Sequence, residues 1–295
     1  MSIIDSSNYG GSVNVTGYTF PFLFYNCTGL THADGLFTTT HAAVKREYYN
    51  SFRGCINLLS APILNHETVN ENAYCGMFRD CWALTTPPVI LAQEIKGFGL
   101  KSMFLDCTGL TQTPTLHINA FKDTHQCEGM FENCISLAQT QTLPNITPTT
   151  GTYKRMFANC WSLTTAPELP SVTLSNSAYT AMFENCTGLT EAPLLPATAL
   201  TDYCYYEMFK GCSQLSAITM LASSNLSATD ALTNWVSGVS PTGVFVKEVY
   251  ATLPTGNNGI PQGWLALSNG ITLSKNRIDC ESGTTETITV TSLNS

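Results

Sequence analysis

One line, Phe-x-x-Cys-x-x-Leu, recurs along this chain, and its period limits the fold more than any other feature. Its cysteines are Cys27, Cys55, Cys81, Cys107, Cys134, Cys160, Cys186 and Cys212, in steps of 26 to 28 residues. Each follows a phenylalanine by three, from Phe24 to Phe209, and precedes a leucine by three, from Leu30 to Leu215. The surroundings match as well: residues 156–170 read MFANCWSLTTAPELP and residues 182–196 read MFENCTGLTEAPLLP. A catalytic motif is needed once, at one place. A line repeated at near-constant period is architecture, one structural unit written many times.

Within each repeat an aromatic or other apolar residue stands four before the phenylalanine (Tyr48, Tyr74, Leu100 and so on). Offsets of 0, 4 and 7 from it to the phenylalanine and the cysteine predict one face of a helix of about two turns. The stretch after the cysteine is short and Thr-rich, and Pro62, Pro88, Pro114, Pro167 and Pro193 fall four after the leucine. Proline cannot donate to a ladder, so about three or four residues of parallel sheet are expected per repeat. A single repeat cannot bury its apolar columns; stacked repeats can. The expected fold is an α/β repeat solenoid, a leucine-rich-repeat-like stack of about eight 26-residue coils. Short parallel strands and short helices would build it, with a small C-terminal β segment added.

The ends depart from the period. Residues 1–19 are rich in Ser, Gly and Asn and read as an N-terminal arm or first half-coil, and the solenoid is expected over 20–225. The next cysteine falls due near 238, but there Trp235 takes the phenylalanine place and Gly238 the cysteine place. Residues 226–266 therefore read as a degenerate last coil and cap, because an end coil must close the core with a different surface. The tail, 267–295, holds ITLS and TETITVTS, which alternate with the period of a strand. A lone hairpin is marginal in water. The tail is expected to pack on the cap, on a copy of itself or on another protein, with Ile271, Ile278, Ile288 and Val290 as candidate assembly residues.

Charged residues make up 12% of the chain, the net charge is −8, and no basic cluster of five or more occurs. Nucleic-acid binding through phosphates is unsupported. No apolar run reaches the ~18 residues of a membrane span, so no membrane insertion is expected. The opening MSIIDSSNYGGSVNV has neither a basic n-region nor an apolar h-region and does not read as a signal peptide. Eight of the twelve cysteines belong to the repeat; they are expected as reduced thiols, packed as small hydrophobes. Cys75, Cys127, Cys204 and Cys280 share no spacing, so no zinc site is expected. His32, His41, His66, His117 and His125 form no HExxH, and GxSxG, P-loop and strand-borne GxGxxG motifs are missing. No catalytic residue, cofactor or metal is expected, and the chain reads as a non-enzyme.

What can bind is a repeated surface. The residue after each cysteine varies and lies between two core columns, and Trp82 and Trp161 are the aromatic candidates there. Thr85, Thr111, Thr164 and Thr190 form a hydroxyl column beside the leucines. The plainer readings are a Trp packed on a flanking loop and a Thr that is ordinary solvent-facing filler.

The line MF-x-x-C-x-x-L-T-x-A-P-x-L-P, CYYEMFKGCSQL at 204–215, and the closing segments NWVSGVSPTGVFVK and GIPQGW together resemble the BspA-like (Treponema-type) leucine-rich repeats over about residues 20–265. Repeats of this kind are encoded by gut Bacteroidetes and their crAss-like phages. The resemblance implies an extracellular binding or adhesive role. A surface adhesin needs an export signal and a virion protein does not. The expectation is therefore a bacteriophage virion component: a head fibre, decoration protein or tail appendage. Its partners would be other virion proteins and itself, as a dimer or trimer, and a host-surface glycan or protein. The alternative is a bacterial cell-surface adhesin or glycan-binding leucine-rich-repeat protein. The tail is similar to the opening strands of BACON and related bacterial Ig-like domains over about two strands.

Overall fold

The computed structural model describes residues 20–36, 42–269, 271–273 and 290–292. The arm 1–19 and the tail residues Ile278 and Ile288 lie outside the described residues.

The segment leading into each cysteine is a ribbon of overlapping turns. The helices predicted there are absent, and no helix occurs among the described residues, so none is long and apolar enough to cross a membrane. In the coil of Cys55, the N–H groups of Ser51, Arg53 and Cys55 donate to carbonyls three residues back at 3.0–3.2 Å. The alternate N–H groups, of Asn50, Phe52 and Gly54, donate to Cys75, Met77 and Arg79 of the next coil at 2.9–3.0 Å. Half of the ribbon's donors close turns and half tie coil to coil, so the backbone is satisfied without a helix.

The φ angles explain why. Every fourth residue of the ribbon has positive φ, as at Arg46, Asn50 and Gly54, then at Asn72, Gly76 and Asp80. A right-handed helix cannot hold a left-handed residue in every turn. The place before the cysteine is filled by Asn26, Gly54, Asp80, Asp106, Asn133, Asn159, Asn185 and Gly211, residue types that adopt this conformation at least cost. A ribbon that turns every four residues returns Tyr48 and Phe52 to one side. The i, i+4 spacing of a helix would leave the same apolar pattern in the sequence.

The sheet is also shorter than expected over most of the stack. β1 (Thr68–Val69), β2 (Glu94–Ile95) and β3 (Ala120–Phe121) pair in parallel, with Val69 beside Ile95 and Ile95 beside Phe121. They lie well past the prolines. Directly after the leucines of the earlier coils there are single bridges, such as Gln112 with Gln139 and Thr165 with Glu191. Seven after Cys212, where the prolines stand in five coils, the residue is Thr219. There β4 (Ala217–Met220) runs for four residues and pairs with β5 (Val244–Lys247), which pairs with β6 (Leu265–Ser268). On its other side β4 meets the coil of Cys186 only at Glu191 and Leu195, which flank Pro193. Strand length thus follows where proline removes a donor. β7 (Ile271–Leu273) and β8 (Val290–Ser292) form an antiparallel pair in the tail.

The core is built of columns that run across coils. Phe52, Phe78, Phe104, Phe131, Phe157, Phe183 and Phe209 stack ring on ring, with centroids 5.2–5.7 Å apart and planes within 12°. Trp235 ends the column, buried against Phe209 and edge-on to Phe245, and its indole N–H donates to the Gly259 carbonyl at 2.9 Å. The loop around 257–259 also takes the last coil's donors: Asn234 N–H gives to Asn258 Oδ1 at 2.8 Å. Parallel strands, stacked side chains and coil-to-coil hydrogen bonds are consistent with a repeat solenoid.

Candidate interaction surface

The repeated side chains are occupied by packing. Seven thiols, from Cys55 to Cys212, are buried, and each donates its S–H to the carbonyl of the phenylalanine one coil back at 3.0–3.2 Å. That carbonyl also accepts the N–H of its own coil's cysteine, so both lone pairs are used. Burial pushes the Cys55 and Cys186 thiols up to about 12. All eleven described cysteines are free, and Cys280 lies outside the described residues. His66 shares a hydrogen bond with the buried Tyr74 hydroxyl, whose acidity burial suppresses. Among the described residues no group of three His, Cys, Asp or Glu could hold a metal ion.

Charge sits on the turn ribbon. Arg53 meets Asp80 at 3.3 Å, Lys101 meets Glu128 at 2.9 Å, and Arg155 bridges Glu132 and Glu184, each contact linking neighbouring coils. On the same ribbon the asparagines before the cysteines join end to end. Asn159 Nδ2 donates to Asn133 Oδ1 at 2.8 Å, and Asn185 Nδ2 donates to Asn159 Oδ1 at 2.9 Å.

The flank after the cysteines is different. Trp82 and Trp161 are 53% and 54% exposed. Thr85, Thr111, Thr164 and Thr190 are exposed as well, and Thr111 gives both its N–H and its hydroxyl to the Thr85 carbonyl at 3.1 Å. The two tryptophans share a column but stand three coils apart. Ile271 of β7 sits opposite Ser292, and Val290 of β8 opposite Leu273. Two glycines that the sequence reading passed over belong to the flank. A Cβ on Gly109 would lie 2.3 Å from the Trp82 carbonyl oxygen, and one on Gly188 2.6 Å from that of Trp161. The signal that finds them is their place two after a cysteine, in the coil that follows each tryptophan.

A stack whose Phe, Cys and Leu columns are internal, with an outer flank that carries no Lys or Arg, suits an interaction scaffold. Residues 115–234 match the family model described as the BspA type leucine rich repeat region, in six copies. The match supports a BspA-like leucine-rich-repeat protein. Comparison with curated proteins and with solved structures returned no match.

Proposed function

We propose that this chain is a non-enzymatic adhesive interaction protein carried on the outside of a virion, as a head fibre, decoration protein or tail appendage. One observation carries the interaction role: the Phe, Cys and Leu columns are spent on packing, and the outward flank holds exposed Trp82 and Trp161 on that rigid base. A scaffold of this kind holds exposed groups at fixed spacing with little entropy left to lose on binding. A second reading, a bacterial cell-surface adhesin, is favoured by the family match, because such repeats are often surface-associated. Antibodies to the chain decide between them. Labelling of purified particles supports the virion, labelling of uninfected cells alone supports the cell surface, and a chain confined to the cell interior refutes both.

The tail is proposed as the assembly element, since β7 and β8 form a two-stranded pair that is marginal alone. Deleting residues 271–295 should convert a dimer or trimer to a monomer by light scattering, with the solenoid still folded. An unchanged mass removes that role.

A further inference from the structure

Three coils set the period of the exposed flank. The residues after successive cysteines read Thr28, Ile56, Trp82, then Thr108, Ile135, Trp161, then Thr187 and Ser213, where the triplet stops. The neighbours follow the same triplet: CTGLT begins at Cys27, Cys107 and Cys186, and CWALTTPP at Cys81 answers CWSLTTAP at Cys160. The flank therefore carries the same tryptophan platform twice, with different neighbours: exposed Leu59, Ile63 and Val89 near Trp82, and Gln139 and Gln141 in the corresponding coil before Trp161. In each copy the Trp carbonyl abuts a glycine of the next coil, Gly109 or Gly188, where a Cβ would clash. The backbone beneath each indole is thus held in the same way, and the two indoles are equally exposed. The other two tryptophans, Trp235 and Trp264, are buried.

The surroundings carry no cation. None of the 13 Lys and Arg residues lies one to eight places after any repeat cysteine, and the acids there are Asp34, Glu168 and Glu191. On the flank of the coils of Cys134 and Cys160 a shallow groove of about 460 Å³ mixes Gln139, Gln141 and Thr165 with Ala166, Pro167 and Glu168. Hydroxyls and amides alternate there with apolar groups.

The geometry points to a binding site for an uncharged polysaccharide, lying along the stack with sugar rings on Trp82 and Trp161. Three coils at the strand spacing put the two platforms roughly 14 Å apart. A flat indole offers its face to the C–H face of a pyranose, and the Thr and Gln side chains between can exchange hydrogen bonds with sugar hydroxyls. An anionic polymer would find no cation here. A protein hot spot is a contiguous apolar centre ringed by dry contacts, whereas these indoles are separated by Thr108 and Ile135. A polymer with a repeating unit meets both copies in one pose, and its second contact is intramolecular. The ligand class rests on the reading of the chain as an adhesive interaction protein.

The test is native affinity electrophoresis of the full chain in gels holding soluble neutral polysaccharides (a β-glucan, a mannan, a galactomannan, an arabinoxylan) or the anionic polygalacturonate. Retardation by a neutral polymer is expected, with quenching of indole fluorescence. Trp82→Ala and Trp161→Ala should each weaken it about tenfold, the double variant should abolish it, and Trp→Tyr should restore most of it. Both sites are exposed, so unchanged melting is the check that the variants fold. Retardation by no neutral polymer, by polygalacturonate alone, or equally in the double variant overturns the proposal. If the chain then still binds whole cells, the adhesive reading stands without the ligand class. If it binds neither, both fall.

Discussion

Raising the pH from 9 to 10 is expected to destabilise this protein steeply, and the cysteine column sets how steeply. Cys55, Cys81, Cys107, Cys134, Cys160, Cys186 and Cys212 are buried, and their acidities are shifted upward, chiefly by desolvation, from an ordinary value of 9.0. Each thiol proton is also in use, donated to a phenylalanine carbonyl one coil back. The folded chain keeps these protons at pH 10, while the unfolded chain releases most of its own. More protons are then bound in the native state, so stability is complete below pH 9 and falls as pH rises toward the folded values. Between pH 9 and 10 each thiol removes about 1 kcal/mol, and the seven together remove about 7 kcal/mol, comparable to the whole stability of a domain. Tyr74, Tyr153, Tyr179 and Tyr205, also shifted upward by burial, add to the loss at higher pH. Urea melts under reducing conditions at half-unit steps of pH measure this directly. The slope of unfolding free energy near pH 9.5 should correspond to about five protons per molecule. A slope below about two would refute the argument, because it would mean that most of these thiols titrate alike in both states. A thiol reagent at pH 8 gives a second check: it should reach the exposed Cys27 and leave the seven untouched.

Other perturbations separate the parts of the fold. Phe157 stacks between rings 5.5 and 5.7 Å away, and Phe157→Ala should cost about 3–5 kcal/mol in urea melting; a loss under ~1 kcal/mol would show that the column is not core. Asn159 sits at φ 61° and holds two links of the asparagine ladder. Asn159→Ala should cost about 1–3 kcal/mol, and Asn159→Gly about 1 kcal/mol less, because glycine takes that φ freely; equal losses would remove the backbone part of the explanation. Gly109→Ala should cost about 1–3 kcal/mol through its clash with the Trp82 carbonyl. Gly29→Ala, where a Cβ meets nothing within 4 Å, should stay within about 0.5 kcal/mol of the parent.

The columns were legible because stacking copies each apolar position onto its neighbour, so Phe, Cys and Leu recur whatever the backbone does between them. The backbone was not legible from those columns, since a helix and a ribbon turning every four residues place apolar groups at the same offsets. The discriminating signal lay one residue away. Asn, Gly and Asp fill every position before the repeat cysteines, and three such types in one column mark a left-handed backbone rather than a helical turn. Strand length was written in the prolines, but its consequence needed the pairing: a four-residue ladder forms only where two adjoining coils both lack the proline, as with β4 and β5. The exposed site was harder for a physical reason. Core positions must match in every coil, because each touches the next, whereas an outward residue is free to vary from coil to coil. A three-coil period on that free surface has no packing cause except the glycine that follows each tryptophan. Gly29 occupies the same place, with no tryptophan before it and open space around it, so packing does not require the triplet there. The tryptophans themselves recur with two coils between them. Packing explains the columns of this molecule and leaves the pair of indoles unexplained, and for that reason function is sought there.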